Sequence, residues 1–360
     1  MLNSLIYNLL GKEPSGFGLE IEDRSIKAFM VHKGGGGKCR ILSCGMRMIS
    51  KDLVRDGLII NPRNLASEIK ELLRTTKPRP ISSKFVVFSV PETKAFIRTI
   101  SIPKMTREEA KEAVKWETEA NIPVAADKVY LDWQIVEEGK EIDEVLVAAI
   151  HKDVVNNYCE TMVLAGLEIM AIEVDIISTI RNLAGEKEVG DKPVMIVDMG
   201  EYKTSLAISK KEVPYFTSSI HISGQAFTDA LQKGLGISFE KAEELKIKYG
   251  LGKMKQDDIL YNIYNPLIEN LAVEIEKSIV FYEDSINVKE KVERIIFSGG
   301  GALLRDLADY MAGRVKKEVI IGNPLKSLEV SRDFPEDIQK GLVPFATTIG
   351  LATRACKNDD

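Results

Sequence analysis

A chain of 360 residues, 44% hydrophobic and 29% charged, can bury more than one core and has the balance of an ordinary globular protein. Its net charge of −5, from 49 Lys and Arg against 54 Asp and Glu, leaves no basic footprint and excludes nucleic acid as the main partner. Cys39, Cys44, Cys159 and Cys356 lack CxxC spacing and His32, His151 and His221 are scattered, which excludes a visible zinc cluster or Cys/His pair and fits a reducing compartment.

The opening ten residues, M-L-N-S-L-I-Y-N-L-L, are apolar at several helical positions but lack the basic start and cleavage site of a secretory signal. They read as a short helix lying on a membrane, a partner or its own domain, or as a frayed end. No apolar run reaches the roughly 18 residues of a membrane-spanning helix. Residues 16–31 predict a β-hairpin, and the four glycines at 34–37 a turn, because no Lys-Ser/Thr follows them as a phosphate loop requires. A strand pair is expected over 38–50. A helix follows over 61–75, with Leu65, Ile69, Leu72 and Leu73 on one face, stopped by Pro78 and Pro80.

Residues 85–90 read as an apolar strand, and beyond Pro91 the order changes. Strand (94–102), helix (105–121) and two strands (129–135, 144–150) predict a small inserted subdomain over 92–150. Thr106-Arg107-Glu108-Glu109 is a capping box for that helix, and Trp116 reads either as packing it on the strands or, with the apolar residues of 100–123, as lining a cleft for a peptide. Segments 151–165 and 168–174 return to the first domain, and a helix over 175–183 leads out toward a polar boundary at 186–192. The chain thus divides into an amino-terminal segment (1–15), a first domain (16–188), a second domain (189–340) and a returning helix with tail (341–360).

The second domain opens on V-M-I-V-D-M-G-E-Y-K-T-S (194–205), an apolar strand whose tip carries Asp198 and Gly200 before a second strand begins. A turn of this kind presents backbone N–H groups and lets phosphate oxygens approach, while a carboxylate at its tip suits magnesium and its waters. Taken alone, Asp-x-Gly is equally ordinary turn chemistry. Helices are expected from Ser223-Gly224-Gln225 to Leu235 and over 239–248, the latter closed by Gly250 and Gly252. The longest helical pattern, 263–287, carries Leu267, Leu271, Ile275, Ile279 and Tyr282 on one core-facing stripe. Ile295-Ile296-Phe297 then runs into Ser298-Gly299-Gly300-Gly301, a strand and glycine turn, with a helix expected over 303–315. A last helix, 345–355, crosses back to the first domain. The amino-terminal hairpin repeats the later one, aligning Glu20 with Asp198 and Glu22 with Gly200, which suggests a duplicated fold around one nucleotide.

These features together resemble the actin-like ATPase superfamily. Within it, I-x-I-P-K-M (100–105), W-E-x-E-x-x-I-P (116–123), D-M-G-E-Y-K-T-S (198–205), A-E-E-x-K (242–246) and S-G-G-G (298–301) resemble the PilM family of type IV pilus assembly proteins, with the cell-division protein FtsA more distant. The resemblance spans about residues 16–355. It implies an actin-like (ribonuclease H-like) duplicated α/β fold with an inserted strand-helix-strand-strand subdomain. Two hairpins would grip the phosphates of ATP with Mg2+, and the nucleotide would act as a conformational switch.

Carried over residue by residue, the resemblance makes Asp198 and Glu20 the carboxylates facing magnesium through water. Gly200, Thr204 and Gly224 line the second phosphate turn, and Ser25 and Lys27 donate from the first. Glu243 and Lys246 hold the ribose and adenosine, though their spacing is also that of a surface ion pair. Gly299, Gly300 and Gly301 pass under the base. The family resemblance further implies a scaffold on the cytoplasmic face of the inner membrane, in a machine that drives twitching motility. Its partner would be the amino-terminal tail of the membrane protein PilN, held by residues 92–150 and the adjoining first domain. Pilus motor ATPases and self-association are further partners it implies.

Here the chain departs from the superfamily pattern, which has Asp-x-Gly where this sequence has Glu20-Ile21-Glu22. Glu22 puts a Cβ and a like charge in a turn expected to face phosphate, opposing binding by on the order of a kcal/mol. Hydrolysis is therefore expected to be slow or absent. Alternatives are an FtsA-like cell-division protein, a type II secretion assembly protein and a small-molecule kinase. No sugar site or catalytic base stands out for the kinase, and the C-K-N-D-D ending is not an amphipathic anchor of the FtsA kind.

Overall fold

The computed structural model describes residues 15–34, 38–121, 126–185, 190–251, 259–285, 290–330, 334, 339 and 341–357. Outside the described residues lie the apolar opening segment, Gly35, Gly36 and Gly37, Ile122 and Pro123, part of the 186–192 boundary, Gly252 and the last three residues of the tail.

Two compact units emerge. One gathers the described residues of Met1–Ala95, Ile150–Asn182 and Pro324–Asp360, the other Phe96–Ala149 and Leu183–Asn323. The first unit begins with β1 (Phe17–Ile21), β2 (Ser25–Lys33) and β3 (Cys39–Met48), a meander of antiparallel pairs. Where a pair of strands was expected over 38–50 there is one strand: β3 pairs with β2 from end to end, with the register shifting once, between Met30 and Val31, where Leu42 is passed over. A two-residue ribbon, β4 (Val54–Arg55) with β5 (Leu58–Ile59), leads to α1 (Pro62–Thr75), started by Asn61, whose side chain accepts from the Asn64 N–H. Then β6 (Phe85–Val90) lies parallel to β1.

The insert comprises β7 (Ala95–Pro103), α2 (Arg107–Asn121), β8 (Val129–Glu138) and β9 (Ile142–His151), its strands ordered β7-β9-β8. The capping box forms: the Thr106 N–H donates to Glu109 Oε2 (2.9 Å) and the Glu109 N–H to Thr106 Oγ1 (3.4 Å). α2 packs through Ala110 and Val114 onto Ile102, Val145 and Val147. Of the two places read for Trp116, the core is overturned: it is 71% exposed, because its position falls on the opposite helical face from Ala110 and Val114.

α3 (Lys152–Leu164), β10 (Glu168–Val174) and α4 (Asp175–Leu183) follow, β10 lying parallel to β6. The second unit resumes with β11 (Val194–Met199), β12 (Thr204–Lys210) and β13 (Val213–Ile220), again an antiparallel meander. β13 had no counterpart in the sequence reading. Pro214 weakens its strand signal and suits its place at the sheet edge, where a missing N–H costs least. Helices α5 (Gly224–Leu235), α6 (Phe239–Tyr249) and α7 (Ile259–Ser285) precede β14 (Arg294–Ser298), which lies parallel to β11. The helix expected over 303–315 is shorter, since residues 300–303 form a tight 3-10 turn and Asp306 sits at φ 67° before α8 (Leu307–Val315). β15 (Glu318–Ile321) pairs with β14, and β16 (Leu328–Glu329) with β3. α9 (Ala346–Lys357) closes the first unit.

The sheet orders carry the duplication. Unit one reads β10-β6-β1-β2-β3-β16 and unit two, taken in the same sense, β15-β14-β11-β12-β13. Each is a three-strand meander with two parallel strands added beside its first strand. β1 is buried along its whole length, as a central strand covered on both faces should be. α9 comes so near it that a Cβ on Gly18 would stand 2.4 Å from the Thr348 carbonyl oxygen. The second core joins Val197, Leu206 and Phe297 to Phe227, Tyr264, Leu271, Ile275, Ile279 and Tyr282, so the expected stripe on α7 does face the core.

Candidate functional site

In the second unit, the β11–β12 turn is closed by the Gly200 N–H donating to the Lys203 carbonyl (2.9 Å). Asp198 stands opposite Ser205 on β12 and Ser298 on β14, at the carboxyl ends of two parallel strands, where open α/β sheets bind their ligands. Thr204 is fully buried and its hydroxyl donates to the Ile222 carbonyl, so it anchors the turn from behind. Ser223 caps α5, accepting from the Ala226 N–H, and the Gly224 N–H donates to the Gly200 carbonyl (3.1 Å). The amino-terminal end of α5, with its partial positive charge, is thereby fixed to the phosphate-type turn.

β14 ends at Gly299, whose φ of 80° belongs to the left-handed region. A Cβ there would fall 2.4 Å from the Met199 carbonyl oxygen and 2.8 Å from Asp198 Oδ1, so only glycine brings this turn against the carboxylate. Gly300 opens the 3-10 turn, and a Cβ on Gly301 would lie 2.9 Å from that of Met199. On α6, Glu243 and Lys246 form more than a surface pair. The Lys246 ammonium reaches Glu243 Oε2 (2.8 Å), Thr228 Oγ1 (2.8 Å) and the Gly224 carbonyl (3.0 Å), while the Thr228 hydroxyl donates to Glu243 (2.6 Å). Lys246 therefore ties α6 to the first turn of α5. Asp198, Gly200, Thr204, Gly224, Glu243, Lys246, Gly299, Gly300 and Gly301 belong to one connected framework of strand ends, turns and helix starts.

The first unit presents a different picture. Lys27 Nζ lies 2.7 Å from Glu22 Oε2 and 3.5 Å from Glu20 Oε2, and Ser25 Oγ donates to Glu22 Oε2 (2.6 Å). Glu20 also accepts from the Thr348 hydroxyl of α9 (2.6 Å). Both cation and hydroxyl expected to meet a phosphate are thus engaged by carboxylates of their own turn. Beside this turn, Glu92 follows β6, and its N–H donates to Asp175 Oδ1 (2.9 Å) at the end of β10. The sequence reading did not single out these two carboxyl residues. Their signal appears only once β1, β6 and β10 are known to run parallel, ending on one edge. Among the described residues no cluster of three or more His, Cys, Asp or Glu is placed to hold a metal ion.

A duplicated sheet with a carboxylate-tipped hairpin in each unit and a glycine turn beside the second defines an actin-like ATPase fold. The family model for the type IV pilus assembly protein PilM matches residues 18–356, and the chain belongs to that family. Among solved structures, it is similar to a PilM–PilN type IV pilus biogenesis complex at 28% identity, covering 95% of this chain and 99% of that one, with a TM-score of 0.81. The ethanolamine utilization protein EutJ from Carboxydothermus hydrogenoformans is similar at 15% identity over 95% and 90% of the two chains, TM-score 0.56. MreB5 of Spiroplasma citri, solved with AMPPNP, is similar at 15% identity over 95% and 96%, TM-score 0.50.

Proposed function

We propose that this protein is a nucleotide-responsive scaffold of a type IV pilus machine, holding the cytoplasmic amino-terminal tail of a PilN-type inner-membrane protein. The observation that carries the proposal is the likeness, along nearly the whole chain, to a PilM solved with PilN. No described helix is long and apolar enough to cross a membrane.

The residues of the second unit fit a nucleoside phosphate. Gly200 and Gly224 spend their own N–H groups on the Lys203 and Gly200 carbonyls and contribute instead a turn and a helix start without side chains, Glu243 presents a partly exposed carboxylate for a ribose hydroxyl, and residues 299–301 give a face without side chains for a base. Magnesium, when bound with ATP, would supply positive charge to the phosphates, with Asp198 orienting its waters. Lys246 holds Glu243 and α5 in place, and Thr204 fixes the turn. Glu20, Ser25 and Lys27 fit less well as they stand, since a phosphate at the first turn must displace Glu22 from Lys27 and Ser25. Nucleotide occupancy would set the affinity for the tail.

The insert, residues 92–150, is the proposed tail-binding element, and the exposed Trp116 supports this reading. An indole with most of its surface in water, on a helix that packs through other residues, contributes little to folding and suits an anchor for a partner. The test is equilibrium binding of a fluorescent peptide carrying the amino-terminal tail of the PilN encoded with this chain. Trp116→Ala should leave the melting temperature within about 1 °C and weaken the peptide at least roughly tenfold, as loss of an aromatic anchor does. Unchanged affinity in the folded variant would move the tail site off α2.

A further inference from the structure

Cys39 opens β3 and Cys356 lies one residue from the end of α9, 317 positions away, yet Cys39 Sγ donates to Cys356 Sγ across 3.0 Å. Both are reduced thiols, 8% and 5% exposed, within one apolar cluster with Phe29, Leu328, Phe345 and Ile349. We propose that Cys39 and Cys356 form an oxidation site, at which a two-electron oxidant converts the thiol pair into a disulfide that fastens α9 to β3. An S–S bond is about 2.0 Å long, so the sulfurs need close by only about 1 Å, within reach of rotamer adjustment. Among the described residues no sulfur contact of this kind is made by Cys44 or Cys159.

The electron balance is simple with a hydroperoxide. One thiol is oxidised to a sulfenic acid while the peroxide O–O bond breaks to give an alcohol or water. The second thiol then attacks that sulfur, the S–S bond forms, and water leaves with the hydroxyl and the remaining proton. Access comes at the helix end, because Cys356 sits in the last turn of α9, where terminal hydrogen bonds open most readily. The link has structural reach. α9 packs on β1 and β2, and its Thr348 holds Glu20, so the bond would tie the helix that positions the first-hairpin carboxylate to a strand two places along the same sheet. The proposal is independent of nucleotide and of the pilus partner.

The test treats the full chain with hydrogen peroxide, or with diamide, a diazene that accepts the two electrons and two protons to become a hydrazine. Expected are an intact mass lower by about 2 Da, a Cys39–Cys356 linked peptide after digestion, two thiols left to titrate after denaturation, and no dimer on a non-reducing gel. The melting temperature should rise by on the order of 5–15 °C and fall back with dithiothreitol, since the bond closes a long loop. Cys39→Ala should abolish the mass loss, and Cys44→Ala and Cys159→Ala should leave it. Four titratable thiols after treatment, a linked peptide containing Cys44 or Cys159, or a covalent dimer would each overturn the proposal. Peptide mapping of the wild-type chain decides the matter even where a variant fails to fold.

Discussion

Glu22 is the residue on which the chemistry of the first hairpin turns. Glycine there would release the Ser25 hydroxyl and leave the buried Lys27 without this carboxylate, though still 3.5 Å from Glu20; glutamate supplies an internal anion that both already bind at 2.6–2.7 Å. A phosphate competes with this carboxylate rather than meeting an open cradle. Replacing Glu22 with Gly removes the competitor and restores turn freedom, so the affinity for ATP with magnesium should rise roughly tenfold, equivalent to about 1.4 kcal/mol. Titration with labelled ATP measures this directly, and wild-type turnover should stay below roughly 1 per second. Equal affinity in wild type and Glu22→Gly would mean that Glu22 and the phosphate never compete. The conflict was legible in the sequence, because a charge in a turn expected to face phosphate is a local contradiction. Its resolution was not, since pairing of Glu22 with Lys27 depends on the β1–β2 register.

Among elements, α9 shows how a single helix can organise a unit from its far end of the sequence. Glu173 on β10 is buried and receives Ser178 and Arg181 from α4 and Arg354 from α9, binding three elements at one carboxylate. Burial alone would raise its pKa. The Arg181 hydrogen bond and charge, the Arg354 charge and the Ser178 hydroxyl together outweigh that and hold it below the ordinary value of 4.5. A carboxylate depressed in the folded state stabilises the fold above its unfolded pKa and loses that contribution as pH falls through the folded one. Stability by urea unfolding should therefore hold level from pH 7 to about 5 and drop below about 4.5. Glu173→Gln should cost about 3 kcal/mol at pH 7, because two arginines lose their counter-charge, and should show a smaller drop on acidification. An acid drop of the same size in the variant would assign it to other carboxylates. None of this was visible in sequence, where Glu173 reads as one polar residue in a strand. The elements themselves were easier: α1 and α7 announce themselves by apolar spacing, whereas β13 carries a proline and α8 is cut back by the backbone at Asp306.

At the scale of the molecule, the duplication was readable because each unit repeats a short run of apolar residues ending in a carboxylate, and such runs survive even where the turn glycine does not. The grouping of residues 96–149 with the second unit is set by contacts such as the Thr99 hydroxyl on the Pro214 carbonyl (2.7 Å), between partners with no shared sequence signal. The two hairpins have diverged unequally. The second keeps its carboxylate, glycines and helix start in one framework, while the first has closed on itself, so nucleotide affinity should rest chiefly on the second. ATP with magnesium at about a hundred times its Kd stabilises the folded state by roughly 2.7 kcal/mol, which for a chain of this size raises the melting temperature by about 5 °C. Asp198→Ala should erase the rise, read against the melting temperature of the nucleotide-free variant itself, since its carboxylate stands at the strand tip beside the glycine turn. ADP with magnesium should give most of the same shift, because the self-paired first hairpin contributes little to the terminal phosphate. No shift for the wild-type chain at millimolar nucleotide would remove ATP from the function while leaving the tail-binding reading to its own test. A shift far larger for ATP than for ADP would instead mean that Lys27 exchanges Glu22 for the terminal phosphate, making the first hairpin the element that senses it.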